Sequence, residues 1–149
     1  MPILLELEPL QAAGSIRLGA TRTEVRATML AAPTSFQKSS DNPLVDAWHD
    51  GALQVFYSEA DAVEFIEISL HALIRPVFRG LAVLALPAEV VVAELDRLSP
   101  YDRNDPEVGY TFLFREWQLC LWRPALPTDA PEEARFFRTV GMGIAGYFP

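Results

Sequence analysis

The sequence predicts an α+β fold in which duplicated helix–three-strand meander units form one antiparallel sheet with two helices on one face. Three observations predict it. Half of the 149 residues are apolar, enough for a substantial core and too many for a disordered chain. Two helix starts, near Thr21 and Pro87, are each followed by strand-like runs. The spacing within the two halves also nearly repeats. Leu53-Gln54-Val55-Phe56-Tyr57 begins 29 residues after Glu24, and Trp117-Gln118-Leu119-Cys120-Leu121 begins 28 residues after Glu89.

The first helix is expected over Thr21 to about Ala32. Thr21 and Glu24 form a Thr-x-x-Glu capping box, in which the hydroxyl and the carboxylate satisfy each other's backbone amides. Val25, Thr28, Met29 and Ala32 share one face, and Pro33 stops the run. Val45–Trp48 then leads into Asp50-Gly51, a pair that tolerates the positive φ of a tight hairpin. Leu53–Tyr57 returns, a polar turn follows near Glu59 to Asp61, and Val63–Ile68 completes a three-strand meander.

Ile74 to Leu86 reads as a strand and a crossover. The second helix spans about Pro87 to Leu98, with Pro at the first helical position and Glu89 in the first turn, where the helix dipole favours an acid. Its apolar stripe is Val91, Leu95 and Leu98, and Ser99-Pro100 ends it. After a polar loop, Tyr101 to Val108, a hairpin is expected from Tyr110–Arg115 and Trp117–Trp122, turning at Arg115-Glu116. That turn sets Phe114 opposite Trp117, Phe112 opposite Leu119 and Tyr110 opposite Leu121, all on one face. Thr111, Leu113, Gln118, Cys120 and Trp122 take the other. A proline-rich loop, Pro124 to Pro131, precedes a last strand, Phe136–Val140, and a glycine-punctuated tail that packs Tyr147 and Phe148. The chain thus reads as a single domain, 1–149, built of two fused repeats at about 15–70 and 80–149. Edge-to-edge joining gives one long sheet, with both helices on one side and the other side open.

Charge narrows the functional classes. Twenty acids face twelve bases, a formal charge of −8, so phosphate backbones are repelled and no nucleic-acid partner is expected. No apolar run reaches the ~18 residues needed to span a bilayer, and no signal peptide is evident. A cytoplasmic location is expected. Cys120 is the single cysteine, which excludes an internal disulfide and a cysteine metal cage. Eleven of the twelve bases are arginine, a composition that matches a bacterial genome rich in G and C.

No catalytic constellation emerges. His49 sits at a hairpin turn, His71 sits at an element boundary, and Cys120 reads as a packing residue. Asp41, Asp46, His49 and Asp50 match neither a calcium nor a zinc spacing. Gly141-x-Gly143-x-x-Gly146 fits the dinucleotide pattern, but no helix follows it to bind a phosphate. No cofactor or metal is expected.

The acid distribution is more telling. Between Ser39 and Ile74 lie seven acids (Asp41, Asp46, Asp50, Glu59, Asp61, Glu64 and Glu67) and no Lys or Arg. With Asp50-Gly51 setting the register, the face opposite Trp48, Leu53 and Val55 carries Val45, Gln54, Phe56, Glu64 and Ile66. Leu113 and Trp122 take the equivalent face in the second half. An open face of apolar, aromatic and acidic groups suits a protein partner. The expected contact residues are Asp46, Phe56, Glu64, Ile66, Glu67, Leu113 and Trp122, facing a protein of basic character or a second copy in a homodimer.

Arg17-Leu18-Gly19, then Thr21-x-x-Glu24-Val25-Arg26, the acidic meander and the terminal Gly146-Tyr147-Phe148 resemble small bacterial proteins of unknown function. The doubled helix-plus-meander plan is similar in outline to the beta-lactamase inhibitor proteins, whose sheet face grips an enzyme. Size and charge resemble bacterial immunity proteins. Architecture alone does not fix function, and the secreted, disulfide-bonded character of the beta-lactamase inhibitors is missing here. The expected function is a non-enzymatic protein-binding module, of the immunity or inhibitor kind. The alternatives are a small-ligand binder or minor enzyme with a pocket beside Tyr101–Glu107 or Pro124–Pro131, and a structural homodimer.

Overall fold

A computed structural model describes residues 1–149. It is α+β, but it has two sheets where the sequence suggested one. The larger sheet has seven strands and is wholly antiparallel. In chain order these are β4 (Thr34–Phe36), β5 (Val45–Trp48), β6 (Leu53–Tyr57), β7 (Val63–Ser69), β10 (Thr111–Phe114), β11 (Leu119–Trp122) and β12 (Thr139–Gly143). Across the sheet they run β10-β11-β12-β7-β6-β5-β4. The last strand, β12, therefore lies beside β7, Val140 opposite Ile68 and Met142 opposite Ile66. This joint unites the two meanders into one layer.

The smaller sheet has five strands: β1 (Ile3–Glu8), β2 (Ala12–Ala13), β3 (Ile16–Arg17), β8 (Ile74–Phe78) and β9 (Leu81–Ala82). Its centre is a parallel pairing of β1 with β8, Ile3 opposite Ile74 and Leu5 opposite Pro76. The expected strand at Ile74 thus exists, but it pairs with the chain's first residues and not with either meander. The two sheets and both helices feed one cluster of 26 buried apolar residues.

Helix α1 is Arg22–Thr28, shorter than its apolar pattern suggested. Thr21 caps it, and the capping box closes with the Glu24 amide donating to Thr21 Oγ1 at 3.2 Å and the Thr21 amide donating to Glu24 Oε1 at 3.2 Å. Helix α2 is Ala88–Leu98, with Pro87 as its cap and not its first residue. Val25 on α1 and Ala88, Val91 and Leu95 on α2 are the deepest helix side chains, each no more than 1% exposed.

The β5–β6 hairpin turns as expected. Asp50 and Gly51 take φ 58° and 85°, and the Ala52 amide closes onto the His49 carbonyl at 3.0 Å. The β10–β11 hairpin departs from expectation by two residues, since Phe114 lies opposite Leu119 and Phe112 opposite Leu121. Gln118 turns left-handed, φ 50°, and joins Arg115, Glu116 and Trp117 in a longer turn. A slip of two preserves side-chain faces, so Phe112, Phe114, Leu119 and Leu121 all enter the core. The last strand begins at Thr139 and not at Phe136. No helix is long and apolar enough to cross a membrane.

Candidate functional site

The outer face of the seven-stranded sheet was expected to lie bare. Its centre is instead covered by the chain's own last residues. The Tyr147 ring stacks on Phe65 with centroids 4.6 Å apart and an 11° tilt, and Phe148 meets Phe65 edge-on at 5.8 Å. The Phe148 amide donates to Gln118 Oε1 at 2.6 Å, and Arg115 Nη1 donates to the Phe148 and Pro149 carbonyls. The expected packing of Tyr147 and Phe148 is therefore present, but its partner is this face. Glycine makes room for it: a methyl on Gly143 would sit 2.5 Å from Tyr147 Cβ.

Three of the expected contact residues are not on an open surface. Ile66 lies opposite Val55 and is 1% exposed, within the core. An irregularity in the β6–β7 pairing, where Tyr57 meets Val63 and Phe56 meets Phe65, moves it to the inner side. Leu113 is buried at 4% exposure. Asp46 is completely buried. Phe56, Glu64 and Glu67 remain half-buried on the outer side, and Trp122 is 40% exposed. Lys38 lies over the Phe56 ring at 4.6 Å, so a base from outside the strands partly offsets this acidic patch. Burial raises the Glu67 carboxyl above the ordinary value, and Lys38 opposes that only in part.

Asp46 is the centre of a buried polar network. Its Oδ1 accepts from Arg26 Nη2 at 2.7 Å, Ser35 Oγ at 2.8 Å and Arg22 Nη1 at 3.2 Å. Its Oδ2 accepts from Arg26 Nε at 2.9 Å and Tyr57 Oη at 3.0 Å. Burial works to raise its pKa, but the bonds from Arg26, Ser35 and Tyr57, with the Arg26 charge, outweigh it and hold the group ionised below the usual carboxylate range. Burial first, then the Asp46 charge, pushes the Tyr57 phenol up. Arg22 and Arg26 stand one turn apart on α1 and so reach the same carboxylate. No buried side-chain nitrogen or oxygen here lacks a partner within the fold, so the network reads as structural, tying α1 to β4, β5 and β6.

Between the two sheets opens an apolar cleft of about 730 Å³, and thirteen of its nineteen lining residues are hydrophobic. Ile3, Leu5 and Ile74 form one wall from the smaller sheet, and Trp48 and Leu53 form another from the larger. The rim is Met29–Ala32, the segment between α1 and β4. Trp48 pins this rim by donating its indole N–H to the Ala31 carbonyl at 2.9 Å. Ile3 is 54% exposed, a large aliphatic group left facing the opening. The cleft does not touch Tyr101–Glu107 or Pro124–Pro131, beside which a pocket was expected. Its position depends on the parallel β1–β8 pairing, for which the sequence offers no local signal.

The mouth of the cleft carries the β5–β6 turn. His71 Nε2 lies 3.2 Å from Asp50 Oδ2, while His71 Nδ1 accepts the Leu73 amide at 3.0 Å. That second bond fixes the neutral tautomer, with the proton on Nε2 aimed at Asp50. The His49 and His71 rings are 5.9 Å apart. No group of three or more His, Cys, Asp or Glu side chains is arranged to hold a metal. Cys120 lies on β11, opposite Leu113 and Gly141, and burial above all pushes its thiol up to about 12. Compared with known proteins, the chain matches no family model, no curated protein and no solved structure.

Proposed function

We propose that this protein is a non-enzymatic binding protein that holds an apolar small molecule in the cleft between its two sheets. The observation that carries the reading is the cleft itself: about 730 Å³, walled by aliphatic side chains and Trp48. That volume falls within the ~300–1,000 Å³ typical of ligand sites, which are mostly apolar with a few placed polar groups. The few here are Ser15, Thr28, Thr34, His49 and Asp50. The single free thiol agrees with a cytoplasmic setting. Titration with decanol and with the neutral dye Nile red tests the proposal. Binding at low micromolar concentration, with a change in Trp48 emission, is the expected result. Ala32→Trp, a rim substitution at an exposed position, is expected to block it. Equal binding by the blocked variant would remove the cleft from consideration.

A second reading, docking of a basic protein or a second copy on the outer sheet face, is favoured by the exposure of Trp122 and the half-buried Phe56, Glu64 and Glu67. Charge reversal at Glu64 and Glu67 abolishes capture of such a partner if this reading holds, and light scattering over a range of concentrations separates self-association from a foreign partner. Immunity or inhibitor activity belongs to this reading. We also propose that α1 with β5–β7 and α2 with β10–β12 descend from one duplicated unit. In support, each helix precedes a run of consecutive antiparallel strands, four after α1 (β4–β7) and three after α2 (β10–β12), and the two runs meet at the β7–β12 joint.

A further inference from the structure

We infer that the cleft selects a cationic amphiphile, an aliphatic or aromatic body carrying an amine, over an anionic one. This deepens the small-molecule reading above and rests on it.

The first support is charge complementarity. None of the nineteen lining residues is Lys or Arg, and Asp50 is the one acidic residue among them. A carboxylate or phosphate head group drawn against such walls loses hydration and gains no counter-ion, a cost that rises steeply in an apolar site.

The second support is the geometry at the mouth. Asp50 occupies the αL position of the hairpin turn, φ 58°, and its side chain is 92% exposed. It therefore faces water while standing at the border of the apolar walls. His71 is held in the tautomer that donates from Nε2, because Nδ1 accepts the Leu73 amide. It steadies Asp50 Oδ2 and leaves Oδ1 free to accept from a ligand. An amphiphile would thus lay its chain along Ile3, Leu5, Trp48 and Leu53 and present its ammonium to Asp50 in water.

The test is calorimetric titration of the full chain with decylamine, decanol and decanoate, each below its critical micelle concentration, in low salt at pH 7. Decanol is expected to bind, decylamine to bind more tightly, and decanoate more weakly, with decylamine and decanoate about fivefold apart, the scale of attraction and repulsion at a single exposed carboxylate. Asp50→Asn keeps a residue that tolerates positive φ and still accepts from His71. It is expected to bring decylamine and decanoate to within about twofold, and circular dichroism confirms that the variant is folded. Raising salt to ~0.5 M should compress the wild-type preference in the same direction. Decanol binding with no amine preference, or a preference that survives Asp50→Asn, overturns this inference and leaves the cleft reading standing. Failure of decanol to bind overturns both.

Discussion

Arg26 grips Asp46 with two hydrogen bonds, Nε to Oδ2 at 2.9 Å and Nη2 to Oδ1 at 2.7 Å. The pair joins a seven-residue helix to a strand whose four residues are all buried. Asp46 is wholly buried, whereas Arg26 is 41% exposed and Arg22 14%. The carboxylate is therefore the side of the network that cannot recover its hydration once a partner is lost.

Removing that carboxylate leaves Arg22 and Tyr57 without their shared acceptor. Asp46→Ala is expected to destabilise the fold by about 3–5 kcal/mol, the range for breaking a buried ion pair from one side. Arg26→Ala should cost less, about 1–3 kcal/mol, because Arg22, Ser35 and Tyr57 still donate to Asp46. Urea denaturation of each single variant and of the pair measures both costs and their coupling. A coupling near zero would show that the two groups act independently.

The pH dependence follows from the direction of each shift. The folded Asp46 carboxyl lies below its unfolded value, about 3.9, so its contribution is present above that value and is lost as pH falls through the folded one. Glu67 is raised instead. For it, stability declines as pH rises from the unfolded value, about 4.3, through the folded one. Asp46→Asn should flatten the acid limb of a stability–pH curve. Glu67→Gln should raise stability at pH 7 by about 0.5 kcal/mol, allowing for solvent screening, and have no effect at pH 3. A Glu67→Gln gain that persists at pH 3 would place its cause outside the charge.

Gly141 sits where β12 passes beneath the Phe65 ring. A methyl there would overlap the ring and approach Cys120 Sγ to 3.1 Å, and its φ is not in the left-handed region. The requirement is thus for space. Gly141→Ala is expected to cost about 1–3 kcal/mol by overpacking. Combining it with Phe65→Leu should recover part of that loss, which thermal unfolding of the four species would reveal. Strict additivity would mean the ring is not the obstacle.

Cys120 should be a poor nucleophile, because burial foremost holds its thiol near 12 and the thiolate is the reactive form. Reaction with a disulfide reagent at pH 8 is expected to be at least about a hundredfold slower in the folded protein than in urea. Tyr147→Ala, which removes the stacked ring from Phe65, should speed it several-fold without unfolding the chain. An unchanged rate would show that the tail does not guard this region.

Much of the larger sheet can be read locally. The Thr21/Glu24 capping box, the Asp50-Gly51 turn and the alternation of Leu53, Val55 and Tyr57 each state a backbone preference within a few residues. The second sheet is harder. Leu5-Glu6-Leu7-Glu8 does alternate, but nothing in it names β8, some seventy residues onward, as its parallel neighbour. The outer face misleads for a related reason. Asp46 reads as an exposed strand acid until α1 brings two arginines to it, and Ile66 changes sides at an irregularity that no turn residue announces. The cleft lies between elements whose association is long-range, so its lining residues look like ordinary core in the linear chain.

The position of β12 constrains how the molecule can be assembled. It follows every other strand in chain order, yet it lies third from one end of the seven-stranded sheet, between β11 and β7. Until it arrives, the nascent N-terminal meander leaves its β7 edge unpaired, and half of the layer has no template. High contact order of this kind slows folding. Bare edges invite pairing with another chain, so efficient expression should depend on holdase chaperones and fall off sharply when translation is interrupted before Gly143.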